Sequence, residues 1–232
     1  MRESAENYAQ FRDASDQSLL VTFGETIAPK TLQSVMKLLH LLQAEPLPAI
    51  RNLHPAYSSM LIQFDPLQID HGELRTKLAS YLARLEQVSL PKPREIEIPV
   101  CYGGEFGPDL QDVATMHGMT TKQAATLHCS PSYTVYFLGF APGFAYLGGL
   151  PQEIASPRLE TPRVKVPQGS VGIGGNQTGV YPFATPGGWR LIGRTPLAMF
   201  RSDRPRMSIL QIGDHVRFRP ISKEQFAEFV VK

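Results

Sequence analysis

The stretch Tyr133-Thr-Val-Tyr-Phe-Leu-Gly-Phe-Ala-Pro-Gly-Phe-Ala-Tyr-Leu-Gly-Gly-Leu-Pro151 governs the reading of the rest of the chain. Its first six residues are aromatic or β-branched for the most part, the composition that suits a pleated strand. The run then breaks at Pro142-Gly143 and again at Gly148-Gly149. Short apolar runs cut by Gly and Pro recur in the same manner as far as Val216-Arg217-Phe218-Arg219, so the second half of the chain reads as a β-barrel or sandwich. Phe140, Phe144 and Tyr146 flank these turns, where aromatics either wall a pocket or bury themselves.

The first half reads differently. Residues 1 to 17 are polar and aperiodic and read as a flexible arm. Leu19 to Phe23 is a strand pattern, followed by a helix from Pro29 with Leu32, Val35, Met36, Leu39 and Leu42 at helical spacing. Ile50–His54 and Ser58–Phe64 form two further strands. Asp70 with Glu73 three residues on is a capping box for a second helix, whose stripe is Leu74, Leu78, Leu82 and Leu85. Glu95–Val100 supplies a last strand, and the order strand, helix, strand, strand, helix, strand is that of a ferredoxin-like α/β unit. The expected organisation is α+β: an arm over 1–17, a ferredoxin-like domain over 18–90, a linker at Leu90-Pro91-Lys92-Pro93, and a β domain over 94–232. Two short helices, Asp109–His117 and Thr121–His128, precede the barrel strands.

The 232 residues carry 23 Lys and Arg against 21 Asp and Glu, a net +2 that is too mild for nucleic-acid binding. No apolar run of membrane-spanning length and no secretory leader is present, so a cytoplasmic protein is expected. Cys101 and Cys129 read as reduced thiols, and with no His-Glu-x-x-His or Cys-x-x-Cys pattern no metal site is expected.

Charge is distributed unevenly. Between Thr161 and Ser202 there is no acid, while Arg163, Lys165, Arg190, Arg194 and Arg201 lie among glycines and prolines. Such a surface favours an anion, since guanidinium forks match carboxylate and phosphate. Pro157-Arg158 and Pro162-Arg163 repeat a pair at a five-residue interval. At least half of these arginines are expected to pair with Glu105, Asp109, Asp203 or Asp214 instead. Gly169 to Gly179 contains no Gly-Lys-Ser or Gly-Lys-Thr and fails the dinucleotide fingerprint. Taken alone its glycines serve equally well to turn barrel corners or to let backbone approach a ligand; the missing acids favour a site at Gly174, Gly175 and Gln177. His128 is the best acid–base candidate, although a histidine there is more often simply buried.

The Tyr133–Pro151 string, with Thr161-Pro-Arg163, Gly169-Ser-Val-Gly-Ile173, Gln177-Thr-Gly-Val-Tyr-Pro182 and Pro186-Gly-Gly-Trp-Arg-Leu-Ile-Gly-Arg-Thr-Pro196, resembles the family of the bacterial 5-oxoprolinase B subunit. That family also takes in Kip-type sporulation-kinase inhibitors and allophanate hydrolase subunit 1, the carboxyltransferase subdomains C and D. Two positions depart from the pattern: Ala145 stands where proline is common, and Gly174-Gly175-Asn176 replaces Ala-Gly-x.

The resemblance spans about residues 18–221. It implies that the second domain is a cyclophilin-like barrel. It implies one member of a hydrolase complex, inactive alone, that works with the homologous C subunit and a separate A subunit. Together they would open 5-oxo-L-proline to L-glutamate, using ATP, with or without Mg2+, held by the complex. Arg163, Lys165, Arg190 and Arg194 would then grip anionic groups, Gly174, Gly175 and Gln177 would shape a loop, Phe140, Phe144 and Tyr146 would wall the site, and His128 would carry a proton. Two alternatives stay open: an inhibitor docking on a sensor histidine kinase, which needs an exposed apolar patch near Phe140, Phe144 and Tyr146, and a carboxyltransferase-like domain of urea metabolism.

Overall fold

The computed structural model describes residues 9 to 230, and the chain divides into two compact units, 1–92 and 93–232. Residues 1–8 of the expected arm lie outside the described residues.

The first unit is a four-stranded antiparallel sheet with helices. Its strands are β1 (Gln10–Ser15), β2 (Ser18–Thr22), β3 (Ile50–Pro55) and β4 (Ser59–Phe64), in the order β1-β2-β4-β3. Leu19, Val21, Met60, Ile62 and Phe64 alternate onto one buried face, the pattern of a sheet covered on one side. The cover is α1 (Pro29–Ala44), burying Leu32, Val35, Leu38, Leu41 and Leu42, and α2 (His71–Leu82), burying Leu74, Leu78 and Tyr81. Asp70 caps α2 as expected: its Oδ1 accepts from Glu73 N at 2.8 Å.

Two expectations are corrected here. Residues 10–15, assigned to a loose arm, form β1, which pairs with β2 through Phe11↔Val21 and Arg12↔Leu20. Its charged, exposed side chains are those of an edge strand, and that polarity hid it from a hydrophobic pattern. The strand at Glu95, counted in the ferredoxin-like order although it lies within the expected 94–232 domain, belongs to the second unit, and β1 occupies the edge beside β2.

In the second unit seven strands close into a barrel. They are β5 (Glu95–Tyr102), β6 (Tyr133–Leu138), β7 (Ala145–Gly148), β9 (Ser170–Gly174), β10 (Gln177–Val180), β12 (Arg190–Arg194) and β13 (His215–Pro220), in the order β10-β7-β6-β13-β5-β12-β9. β5 runs parallel to β13 over Glu95–Val100 and antiparallel to β12 at Cys101 and Tyr102. Ile98, Val100, Tyr133, Val135, Leu147, Val171, Ile173, Ile192, Val216 and Phe218 fill the interior, as small barrels require. β8 (Arg163–Val166) and β11 (Thr185–Gly187) form a separate two-stranded ribbon. α3 (Leu110–Met116) packs against β12, α4 (Thr121–Cys129) against β13, and α5 (Lys223–Val230) against β5. Thr120 caps α4.

Candidate functional site

The glycine-rich segment is a β-hairpin. Gly174 pairs with Gln177 and Ile173 with Thr178, leaving Gly175-Asn176 as a two-residue turn. Gly175 adopts φ +67° at the first turn position, where glycine is favoured. Gly172, Gly174 and Gly179 make room for Trp189. A Cβ on Gly174 would stand 2.5 Å from the Trp189 ring, and one on Gly172 or Gly179 would crowd Trp189 at 3.1 and 3.2 Å. Gly174, expected to help shape a ligand loop, lies buried in β9, and its missing side chain admits Trp189.

Trp189 belongs to an aromatic cluster centred on Phe144. Ring centroids lie 4.9 Å from Phe144 to Tyr146, 5.3 Å to Tyr181, and 5.4 Å to both Phe140 and Trp189, all edge to face, the arrangement that aromatic quadrupoles prefer. Phe144 is 2% exposed and Phe140 62%. Phe140 also holds φ 68°, uncommon outside glycine; such backbone is sustained only where surrounding contacts enforce it, often beside ligands.

These rings wall a cleft of about 160 Å³, closed by Leu159, Pro162, Gly187, Gly188 and the Arg158 side chain. Arg158 places its guanidinium carbon 6.0 Å from the Trp189 ring centre. The flanking backbone is anchored on both sides: Arg190 Nε donates to Pro157 O at 2.9 Å, and Leu159 N donates to Gly188 O at 2.7 Å. Burial raises the pKa of the Tyr146 and Tyr181 hydroxyls, with Arg158 acting in the opposite sense on both. Both phenols therefore stay protonated near neutrality and can donate.

Arg163, Lys165, Arg190 and Arg194 are not brought together at this cleft, whose guanidinium comes from Arg158. Arg163 Nη2 donates to Asp109 Oδ1 at 2.6 Å, while Asp109 Oδ2 accepts from Leu191 N at 2.6 Å. It thus ties β8 to the start of α3 and to β12. Arg201 pairs with Asp203. Arg190 serves the backbone beside Arg158, Lys165 is exposed on β8, and Arg194 stands 5.9 Å from the Phe106 ring. Gln177, at the hairpin end, is half-buried.

His128, expected as a proton carrier, sits in the barrel interior with no exposed surface. Its hydrogen bonds fix its tautomer. Thr178 Oγ1 donates to Gly172 O at 2.9 Å, so it accepts from His128 Nε2–H, also at 2.9 Å. Nδ1 is then the acceptor for the Tyr102 hydroxyl at 2.7 Å, and Cys129 Sγ donates to that hydroxyl oxygen at 3.3 Å. Burial lowers the imidazole pKa to about 3. A neutral, fully bonded ring out of contact with solvent is a structural histidine, and this corrects its assignment to proton transfer.

Three cleft residues escaped the sequence analysis. Arg158 was noted only as half of a Pro-Arg pair, and Tyr181 and Trp189 only as motif letters. The signal was present in Trp189, the one tryptophan of the chain, placed directly after Gly187-Gly188.

Among the described residues no helix is long and apolar enough to cross a membrane, and no cluster of three His, Cys, Asp or Glu is suited to a metal.

Residues 9–210 match the family described as carboxyltransferase domain, subdomain C and D. The 5-oxoprolinase B subunit of Bacillus subtilis (strain 168) is 38% identical over 227 residues, covering 94% of this chain and 95% of that protein. The 5-oxoprolinase B subunit of Haemophilus influenzae is 50% identical over 158 residues, 68% of this chain and 74% of that protein. The crystal structure of TTHA0988 is 33% identical and superposes with a TM-score of 0.79 over 90% of this chain, which spans 40% of the length of that one.

Proposed function

Because this chain belongs to the carboxyltransferase-domain family of subdomains C and D, we propose that it is the B subunit of an ATP-dependent 5-oxoprolinase. It acts with the A and C subunits to hydrolyse 5-oxo-L-proline to L-glutamate. The observation that carries this reading is the match to a 5-oxoprolinase B subunit over nearly the whole of both chains. The substrate is a lactam, whose resonance-stabilised amide resists water, and ATP hydrolysis in the complex supplies the driving force for opening it. What this chain contributes is a small aromatic cleft with one cation at its rim.

That cleft is small for a nucleotide. A volume of about 160 Å³ is below the roughly 300–1,000 Å³ of sites for larger ligands, and the glycine-rich segment, which carries no phosphate-loop signature, forms a paired hairpin. No step through ATP is therefore assigned to these residues.

The kinase-inhibitor alternative loses its motivating feature, since Phe144 is buried, Tyr146 is half-buried and of the three only Phe140 faces outward. A strain lacking this chain is expected to lose growth on 5-oxo-L-proline as sole nitrogen source and to regain it when the chain is restored. Growth that is indifferent to the chain would count against the reading.

A further inference from the structure

We propose that the Phe144–Trp189 cleft is the seat of the lactam acid itself, with Arg158 holding its carboxylate, and that the nucleotide is bound elsewhere in the assembly. The inference rests on the reading of the chain as part of a 5-oxoprolinase.

Size and charge both select this ligand class. The volume equals the liquid share of about five waters, which suits a single five-membered ring bearing one carboxylate. A triphosphate demands several cations, metal or backbone donors around its oxygens, whereas the cleft offers one guanidinium. One guanidinium fork matches one carboxylate. The walls match the rest of the molecule: Phe144 and Trp189 line the cleft beside the ring methylenes, and the protonated phenol of Tyr181 is a donor for a ring carbonyl.

Arg158 is also preorganised. Its own side chain is exposed, yet the residues on either side of it are pinned, Pro157 by Arg190 and Leu159 by Gly188. Fixing the backbone in advance lowers the ordering cost of binding. Arg190 is thus a positioning residue for Arg158, and it reaches the ligand only through that neighbour.

The test is Arg158→Gln in the reconstituted three-subunit enzyme. Loss of a charge-assisted bond is expected to raise the KM for 5-oxo-L-proline by about 10- to 100-fold, leaving the KM for ATP within about twofold. In parallel, Trp189, the sole tryptophan, allows titration of the unsubstituted chain by its emission. 5-Oxo-L-proline is expected to shift it, and ATP or 2-pyrrolidinone, which lacks the carboxylate, is expected not to.

An unchanged KM for 5-oxo-L-proline overturns the inference and leaves the proposed enzymatic role standing. A KM rise confined to ATP overturns it in favour of the nucleotide. If the unsubstituted assembly releases no glutamate, the enzymatic role fails, and the Trp189 titration alone then decides: a response to 5-oxo-L-proline supports the cleft assignment and silence overturns it.

Discussion

Asp109→Ala is expected to lower the stability of the barrel unit by about 2–4 kcal/mol. Asp109 is 5% exposed and its two oxygens are separately engaged, Oδ1 by Arg163 Nη2 and Oδ2 by Leu191 N. Truncation leaves a largely buried guanidinium without its counter-charge and a buried N–H without an acceptor, and each incurs a desolvation cost. The Arg163 side chain keeps 29% exposure, which places the effect below that of a fully enclosed pair. Asp109→Asn should cost less, because its carbonyl can still accept from Leu191 N. Removing Arg163 as well, by Arg163→Met, should return part of the loss. Urea denaturation measures all three; a midpoint for Asp109→Ala equal to the parent would contradict the assignment. The damage should extend to the cleft, because Arg163 is the register partner of Gly187, one of its lining residues.

Acid is expected to unfold the protein through His128. The ring's folded pKa of about 3 lies below the ordinary 6.5, so below pH 6.5 the unfolded chain binds a proton that the folded chain refuses. The contribution is complete above pH 6.5 and is lost as pH falls toward 3, at up to about 1.4 kcal/mol per pH unit and with a ceiling near 5 kcal/mol. Protonating Nδ1 would also displace the bond donated by Tyr102. His128→Gln should be less stable at pH 7, having lost two hydrogen bonds, yet show a shallower fall in Tm between pH 6.5 and 4. Ion pairs such as Arg94–Asp214 are common to both proteins and cancel in the comparison. Parallel Tm profiles would remove His128 from the acid response.

Local chemistry was legible in the sequence where the interaction itself is local. The Asp70–Glu73 box closes over three residues, and its helix begins where the pattern places it. The strand at Tyr133 announces itself by composition. Strand partnership is not local: Glu95–Tyr102 reads as a strand under either assignment, and its parallel pairing with His215–Pro220, about 120 residues away, decides its unit.

The arginines show the same limit. Charge counting finds all of them, but the carboxylate that engages Arg163 arrives from Asp109, 54 residues earlier and outside the acid-free stretch. Arg158 is distinguished only by anchors at Arg190 and Gly188, and neither is adjacent in the chain. His128 likewise becomes readable only when Tyr102 and Thr178 close on its two nitrogens.

The most direct test of the central claim is the release of glutamate and ADP from 5-oxo-L-proline and ATP by purified subunits, with each of the three omitted in turn. The account predicts coupled release from the complete mixture and none when this chain is left out. Undiminished release without this chain would contradict it.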